Sequence, residues 1–192
     1  MTATKERVRI VETQVLSDDW YVLKKTTFDF LRSDGVWQRQ SRETYDRGNG
    51  ATVLLFNRAR QTVVLTRQFR LPAFVNGHDG MLIEAAAGLL DNASPEERIR
   101  AEVEEETGYR VQDVTKVFEA FMSPGSVTEK LHFFIAEYDP SIRVGHGGGV
   151  AAEGEDIEVI EWSLADALDA IRRGEIVDGK TILLLQHVAL LR

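Results

Sequence analysis

The stretch that decides the fold is Ala101-Glu102-Val103-Glu104-Glu105-Glu106-Thr107-Gly108-Tyr109. It lies at the end of a predicted helix that begins at about Pro95, because Ser94 can cap the first turn and proline suits the first helical position. Glu97, three residues after Ser94, completes the pattern of a capping box. Glycine is common just beyond the last helical residue, so the helix is predicted to run from about Pro95 to Thr107.

Three carboxylates of this helix share one side, since Glu102 and Glu106 are four residues apart and Glu105 is three from Glu102. Like charges at this spacing repel by about 0.2–0.5 kcal/mol per pair, and the helix dipole disfavours anions in the last turns by about 0.3–1 kcal/mol each. The ordinary interpretation is a solvated acidic face. However, Ile99 and Val103 put the Glu102/Glu106 edge beside the buried side, where a divalent cation such as Mg²⁺ would compensate the repulsion.

The segment before the helix, residues 84–90, has the sequence Glu-Ala-Ala-Ala-Gly-Leu-Leu. Its glycine, Gly88, is predicted to let a strand turn sharply and to admit a close backbone approach. A lone glycine more often marks only a turn. However, this glycine is part of a longer pattern of strand, glycine, loop and Glu-rich helix. Packing alone does not explain that combination, so a function is indicated.

The whole chain is predicted to be an α+β protein, with an N-terminal strand arm over residues 1–46 and a mixed sheet with helices on its faces over residues 47–192. Two further helices are predicted, Leu164–Arg173 and Thr181–Leu191, and the second is apolar enough for burial or a subunit contact. Runs rich in β-branched and aromatic residues predict strands at Val8–Leu16, Trp20–Leu31, Val36–Tyr45, Ala51–Phe56, Gln61–Phe69, Met81–Ala85, Val111–Phe121, Lys130–Tyr138 and Asp156–Trp162.

Composition narrows the class of protein. The chain has 192 residues, no cysteine, and 31 Asp plus Glu against 23 Lys plus Arg, a formal net charge of -8. The lack of cysteine excludes disulfides, thiol nucleophiles and Cys-based metal sites. An acidic balance argues against binding a nucleic-acid backbone. Because the N-terminus lacks the apolar core of a signal peptide and no apolar run reaches ~20 residues, we expect a soluble cytoplasmic protein without membrane partners.

The charge is unevenly distributed along the chain. Residues 94–107 hold six Glu and two Arg, and residues 153–161 hold five acidic residues and no base. Residues 1–70 are basic, with 13 Lys plus Arg against 8 Asp plus Glu. The acidic segments therefore point to metal ions, and the basic segment supplies the cations that an anionic ligand needs.

Residues 88–109 resemble the box of the Nudix hydrolases, a Gly followed by a spaced Glu and then by Arg-Glu-hydrophobic-x-Glu-Glu-x-Gly-hydrophobic. Ala101 stands where the box usually has Arg, Ser94 stands where it has Glu, and the spacing from Gly88 to Glu102 is one residue short. These departures are similar to the variant box of the GDP-mannose pyrophosphatase branch. The resemblance covers nearly the whole chain, through segments 45–51, 67–70, 88–92, 122–125, 132–138, 155–159 and 178–181.

This resemblance implies a Nudix α/β/α sandwich with a mixed sheet, preceded by an antiparallel strand arm. It also implies Mg²⁺-dependent hydrolysis of the pyrophosphate of a nucleotide sugar, foremost GDP-mannose to GMP and mannose 1-phosphate, with Mn²⁺ as an alternative ion. Two alternatives stay open. One is an ADP-ribose pyrophosphatase, and the other is a non-hydrolysing Nudix module that binds a nucleotide sugar. A plain acidic interaction domain fits the whole-chain resemblance poorly.

By the same resemblance, the metal ligands are the backbone carbonyl of Ala87 and the carboxylates of Glu102, Glu105, Glu106 and Glu155. Glu106 and Glu155 are the residues expected to be catalytic. Glu155, from the late acidic segment, is the first choice for the general base. The ordinary interpretation of that segment is an acidic loop followed by an exposed strand.

The resemblance further assigns six residues to substrate binding: Trp20, Arg42, Glu43, Arg70, Glu129 and Lys180. Trp20 would stack on the base, although a half-buried strand aromatic explains it about as well. The planar fork of the arginines suits phosphate. The family usually forms homodimers in which the N-terminal arm crosses to the partner, so a homodimer with a swapped arm is expected.

Overall fold

The structure is a computed structural model that describes residues 5–191, with Lys5 and Glu153 described by their backbone alone. The described chain divides into two compact units. One contains the residues up to Asn49 together with Phe121–Lys130, and the other contains Gly50–Ala120 and the chain from Leu131 onward. The predicted boundary between residues 46 and 47 stays a prediction, and residues 1–4 of the predicted arm lie outside the described chain.

The first unit is built on a three-stranded antiparallel sheet in the order β1-β2-β3. Its strands are β1 (Val8–Asp18), β2 (Val22–Leu31) and β3 (Trp37–Asp46). Gly35, at φ +82°, takes the left-handed conformation in the turn between β2 and β3. Across that hairpin Arg39 faces Asp29 and donates two hydrogen bonds to its carboxylate, which holds the register.

The second unit contains a seven-stranded mixed sheet. Its strands are β4 (Gly50–Asn57), β5 (Thr62–Phe69), β6 (Met81–Glu84), β7 (Ala86–Leu89), β8 (Thr115–Phe121), β9 (Lys130–Glu137) and β10 (Glu158–Ser163). The order is β10-β5-β4-β9-β8, while β6 pairs with β5 and β7 pairs with β4. Because β4 runs parallel to β9 and antiparallel to β5 and β7, the predicted mixed sheet is confirmed.

Four α-helices accompany this sheet: α1 (Leu71–Val75), α2 (Pro95–Thr107), α3 (Leu164–Arg173) and α4 (Gly179–Leu190). The main core lies between α2 and β4, where Ile99 and Val103 pack with Ala51, Val53 and Leu55. Every residue of β4 is buried, as expected for a strand covered on both faces. Within residues 5–191 no helix is long and apolar enough to cross a membrane.

Several predicted elements need correction. Strand β7 was missed because Ala86–Leu89 has weak intrinsic strand preference and is extended by pairing with β4. Helix α1 was also missed, since five residues give too short a periodic pattern. Residues 111–114, predicted as strand, are irregular, and β10 begins at Glu158 instead of Asp156. The bounds of α2 and α3 agree with the prediction, because both helices carry clear capping residues.

Candidate active site

Gly88 lies inside β7 and faces the carboxylate of Glu102. A Cβ atom built on Gly88 would overlap the Glu102 side chain. Its φ lies outside the left-handed region, so the expected sharp turn is not the reason for a glycine here. The expected close approach does occur, but it is made by a carboxylate instead of a backbone. Glycine at this position therefore creates the space in which a buried acid can lie against the sheet.

Helix α2 carries the candidate acids and begins with the predicted capping box. The hydroxyl of Ser94 accepts a hydrogen bond from the backbone N–H of Glu97, and the Glu97 carboxylate accepts one from the backbone N–H of Ser94. At the other end of the helix Glu102 is 5% exposed and Glu106 is 2% exposed, whereas Glu105 is exposed. The expectation that Glu102 and Glu106 border the buried side is confirmed.

Both buried acids have perturbed pKa values. Burial and, to a smaller extent, the neighbouring charges of Glu102 and Glu155 together raise the pKa of Glu106 to about 8. Burial also raises the pKa of Glu102 to about 7, against the opposing effect of Arg98. One Glu106 oxygen, Oε2, is buried without a hydrogen-bond partner. A buried carboxylate oxygen that lacks a donor and faces other acids fits a cation.

The glycine-rich loop after β9 closes over the end of α2. The backbone N–H groups of Gly148 and Gly149 donate to the carbonyls of Glu106 and Glu105 at 2.9 and 3.0 Å. These bonds satisfy carbonyls that a helix end leaves without partners. In the same loop Glu155 folds back, and its Oε2 accepts a hydrogen bond from the backbone N–H of Val150 at 2.8 Å.

A Cβ on Gly149 would lie 2.5 Å from Oε2 of Glu155, so this glycine also leaves room for the acid. The Glu155 charge contributes to the raised pKa of both Glu102 and Glu106, so the loop brings a third carboxylate to the same region. The sequence did not indicate that the glycine-rich loop caps α2 and so positions Glu155. The side chain of Glu153 lies outside those described.

Glu84, to which the sequence assigned no role, pairs with both cations of the site, Arg70 and Lys180. Glu84 is 2% exposed and accepts hydrogen bonds from Arg70 Nη2 at 2.7 Å and Nε at 3.2 Å. Lys180 Nζ lies 3.2 Å from the same carboxylate. Burial alone would raise the pKa of Glu84, but Lys180 and Arg70 lower it below its ordinary value. The one feature of the sequence that could have identified Glu84 is its position as the acidic last residue of an otherwise apolar strand, Met81–Glu84.

The start of α4 holds Lys180 in this position. Asp178 is the N-cap and accepts a hydrogen bond from the backbone N–H of Thr181 at 3.0 Å. The Thr181 hydroxyl donates to Asp178 at 2.6 Å and accepts from the backbone N–H of Ala85 at 2.7 Å. Because Ala85 joins β6 to β7, this hydroxyl ties α4 to the strand pair that carries Glu84. Residues 178–181 thus cap α4 and attach its first turn to the connection between β6 and β7.

These residues fit a divalent cation held partly by water and substrate. Among the side chains that the structure describes, no three His, Asp or Glu are grouped closely enough to hold a metal ion alone. Mg²⁺ commonly uses only one or two protein carboxylates and completes its shell with waters and substrate phosphates. Ala87, the predicted carbonyl ligand, lies in β7 opposite Thr52. The predicted residues Arg70, Ala87, Glu102, Glu105, Glu106, Glu155 and Lys180 all belong to the second unit, where the charges of Glu102, Glu155, Arg70 and Lys180 lie close enough to Glu106 to shift its pKa.

The other predicted substrate-binding residues lie in the first unit, where they are described by themselves. Trp20 is in the bend between β1 and β2 and is 80% exposed, which excludes the half-buried alternative. Arg42 and Glu43 are exposed on β3. Glu129 is paired with Arg47 at 3.4 Å.

The mixed sheet and its Glu-rich helix define the class, and the comparison with known families agrees: a profile of the NUDIX domain matches residues 46–185. The chain belongs to the Nudix hydrolase family, which confirms the predicted family and fold. A second profile, described as the GDP-mannose pyrophosphatase NudK N-terminal domain, matches residues 7–45.

Similar proteins point to one branch of the family. The chain is 60% identical to a protein of Pectobacterium atrosepticum named GDP-mannose pyrophosphatase, over 94% of this chain and 93% of the relative. It is 56% identical to a protein of the same name from Klebsiella pneumoniae, over 94% of this chain and 91% of the relative. A crystal structure of an ADP compounds hydrolase has a TM-score of 0.72 and 18% identity, covering 96% of this chain and 94% of its own, and supports the fold.

Proposed function

We propose that the protein is a Mg²⁺-dependent pyrophosphatase that hydrolyses GDP-mannose to GMP and mannose 1-phosphate. The observation that carries this proposal is the buried Glu106 carboxylate, which has an oxygen without a hydrogen-bond partner beside a second buried acid on the helix of the Nudix box. The high identity to two proteins named GDP-mannose pyrophosphatase supports the choice of substrate.

In this proposal Glu102, Glu106 and the carbonyl of Ala87 hold the ion, and Glu105 and Glu155 are further ligands. When bound, the divalent cation neutralises the charge of the pyrophosphate and lowers the pKa of bound water. Glu155 takes the proton from the attacking water as general base. Its carboxylate is held in the loop by a hydrogen bond from the backbone N–H of Val150.

Substrate binding is assigned to cations and to one exposed aromatic ring. Arg70 and Lys180, both held by Glu84, contact the phosphates or the sugar. Trp20 stacks on the guanine, which its 80% exposure permits. Further contacts to the base or sugar are proposed for Arg42, Glu43 and Glu129.

We propose a cytoplasmic homodimer in which the N-terminal arm, residues 1–46, crosses to the partner. Strand β1 lies at an edge of its sheet and exposes four large apolar side chains, Ile10, Val11, Val15 and Leu16. An edge strand with exposed apolar residues favours pairing with another chain. The oligomeric state is measured by sedimentation with and without residues 1–46, and a wild-type monomer at micromolar concentration would contradict this part.

The activity is tested with a substrate panel. The protein is incubated with Mg²⁺ and GDP-mannose, GDP-glucose, ADP-ribose or NADH, and release of the nucleoside monophosphate is measured. We expect GDP-mannose to be preferred, and we expect Glu106→Gln to abolish turnover. The matched control is Glu104→Gln, since Glu104 is on the same helix but pairs with Arg110 at 2.7 Å.

The outcomes separate the remaining interpretations. Preference for ADP-ribose would replace the proposed substrate while leaving the chemistry intact. Tight binding of GDP-mannose without turnover of any compound would favour a non-hydrolysing nucleotide-sugar module. Near-normal activity of Glu106→Gln would remove that residue from the metal site.

A further inference from the structure

Arg98 is a cation built into the acidic side of the site. It lies one helical turn before Glu102 on α2, and its Nη2 is 2.5 Å from Oε1 of Glu102. Its Nε is buried and has no hydrogen-bond partner. The position where the Nudix box usually has arginine is Ala101 here, so the positive charge that contacts Glu102 comes from a residue outside the box pattern.

The Glu102 carboxylate is confined from two sides. On one side it fills the space that a Cβ on Gly88 would occupy. On another side it is paired with the Arg98 guanidinium, and both side chains are largely buried. An ion pair shielded from water interacts more strongly than an exposed one. Arg98 therefore fixes the direction of Glu102, and it also holds an oxygen that a metal ion would use.

We propose that Arg98 is a positioning residue that competes with the divalent cation for Glu102 and thereby sets the ion concentration at which the site fills. The inference rests on the proposed function, because it requires Glu102 to be a metal ligand. When the cation binds, the guanidinium gives up Oε1 of Glu102. Removing the charge of Arg98 then makes metal binding tighter, although the residue itself touches no substrate.

The test measures binding of Mn²⁺ alone to the full chain, without substrate, by electron paramagnetic resonance of the free ion. Relative to wild type, Arg98→Met is expected to lower the dissociation constant by about five- to tenfold. Arg98→Lys keeps the charge and is expected to stay within about twofold of wild type. The matched control is Arg100→Met, which removes the same charge from the same helix at a residue that is not paired with Glu102.

A double-mutant cycle ties the effect to Glu102. In a Glu102→Gln background, Arg98→Met is expected to change the dissociation constant by less than about twofold, because the competing pair is already gone. Circular dichroism confirms folding of each variant, and Arg98→Gln serves the same purpose if the methionine variant does not fold.

Two results overturn the inference and are distinguishable from failure of the proposed function. Unchanged or weaker Mn²⁺ binding by Arg98→Met, with normal binding by wild type, overturns the role of Arg98 and leaves the metal site standing. No Mn²⁺ binding by wild type overturns both. An equal gain in Arg100→Met would assign the effect to net charge and also overturn the inference.

Discussion

Replacing Glu106 by glutamine should make the metal-free protein less sensitive to alkaline pH. Glu106 is 2% exposed, and burial raises its pKa to about 8. Since the pKa is higher in the folded than in the unfolded chain, the stability that the protonated acid contributes is fully present below about pH 4.5 and is lost as pH rises to about 8. Glutamine carries no charge at any of these pH values, so the variant escapes this loss.

The size of the effect follows from the pKa. Moving the pKa from 4.5 to about 8 costs about 5 kcal/mol once the group is ionised, at about 1.36 kcal/mol for each pH unit. A difference of that size is a large part of the stability of an ordinary domain. The glutamine amide needs hydrogen-bond partners of its own, which changes the stability of the variant at every pH. The informative quantity is therefore the difference in free energy of unfolding between wild type and variant, compared between pH 5 and pH 9.

The assay is urea unfolding followed by circular dichroism, in EDTA, at pH 5, 7 and 9. We expect the free energy of unfolding of wild type to fall by several kcal/mol more than that of Glu106→Gln over this range. We also expect added Mg²⁺ to restore the stability of wild type at pH 9 and to leave that of the variant nearly unchanged. Glu105→Gln, an exposed acid of the same helix, should change the pH dependence much less. Parallel pH profiles of wild type and Glu106→Gln would refute the reasoning.

Three further changes test other residues of the proposed function. Gly88→Ala puts a methyl group where the Glu102 carboxylate lies. It should cost about 1–3 kcal/mol in urea unfolding and about a hundredfold in kcat/KM, and wild-type values would contradict the packing described. Glu84→Gln takes the charged partner from Arg70, so stability should fall by about 1–3 kcal/mol and KM should rise. Trp20→Ala should leave stability within about 0.5 kcal/mol but raise KM for GDP-mannose by about 5- to 100-fold, and an unchanged KM would exclude stacking.

Local signals in the sequence were sufficient for α2. Its capping residues and its terminal glycine act within one turn of the chain, so the predicted bounds Pro95–Thr107 agree with the structure. Strand β7 gave no such signal, because Ala86–Leu89 is extended only through pairing with β4. Local rules therefore located the helix that bears the acids but not the strand against which Glu102 lies.

The partner residues of the site could not be predicted for a related reason. Glu84 and Lys180 are far apart in the chain, and their contact depends on the hydroxyl of Thr181 reaching the backbone of Ala85. The resemblance to a family did assign a role to Lys180. It gave no role to Glu84, since a single acid at the end of a strand has no spacing pattern that would distinguish it from an exposed one.

The acidic residues of the two charged segments differ in how far positive side chains neutralise them. This difference separates acids with a structural role from the candidate metal ligands. Glu158 and Glu161, on β10, pair with arginines of β5 and the preceding turn, at 3.5 and 2.8 Å. They belong to an exposed strand face, as the ordinary interpretation of that segment expected. Glu102 and Glu106 are instead buried, the charge of Glu102 helps to raise the pKa of Glu106, and Glu106 retains an oxygen without a donor. A metal ion would neutralise the buried acids Glu102 and Glu106, but it would add little to Glu158 and Glu161, which arginines already neutralise. The candidate ligands are therefore identified by their incomplete neutralisation more than by the net charge of the segment.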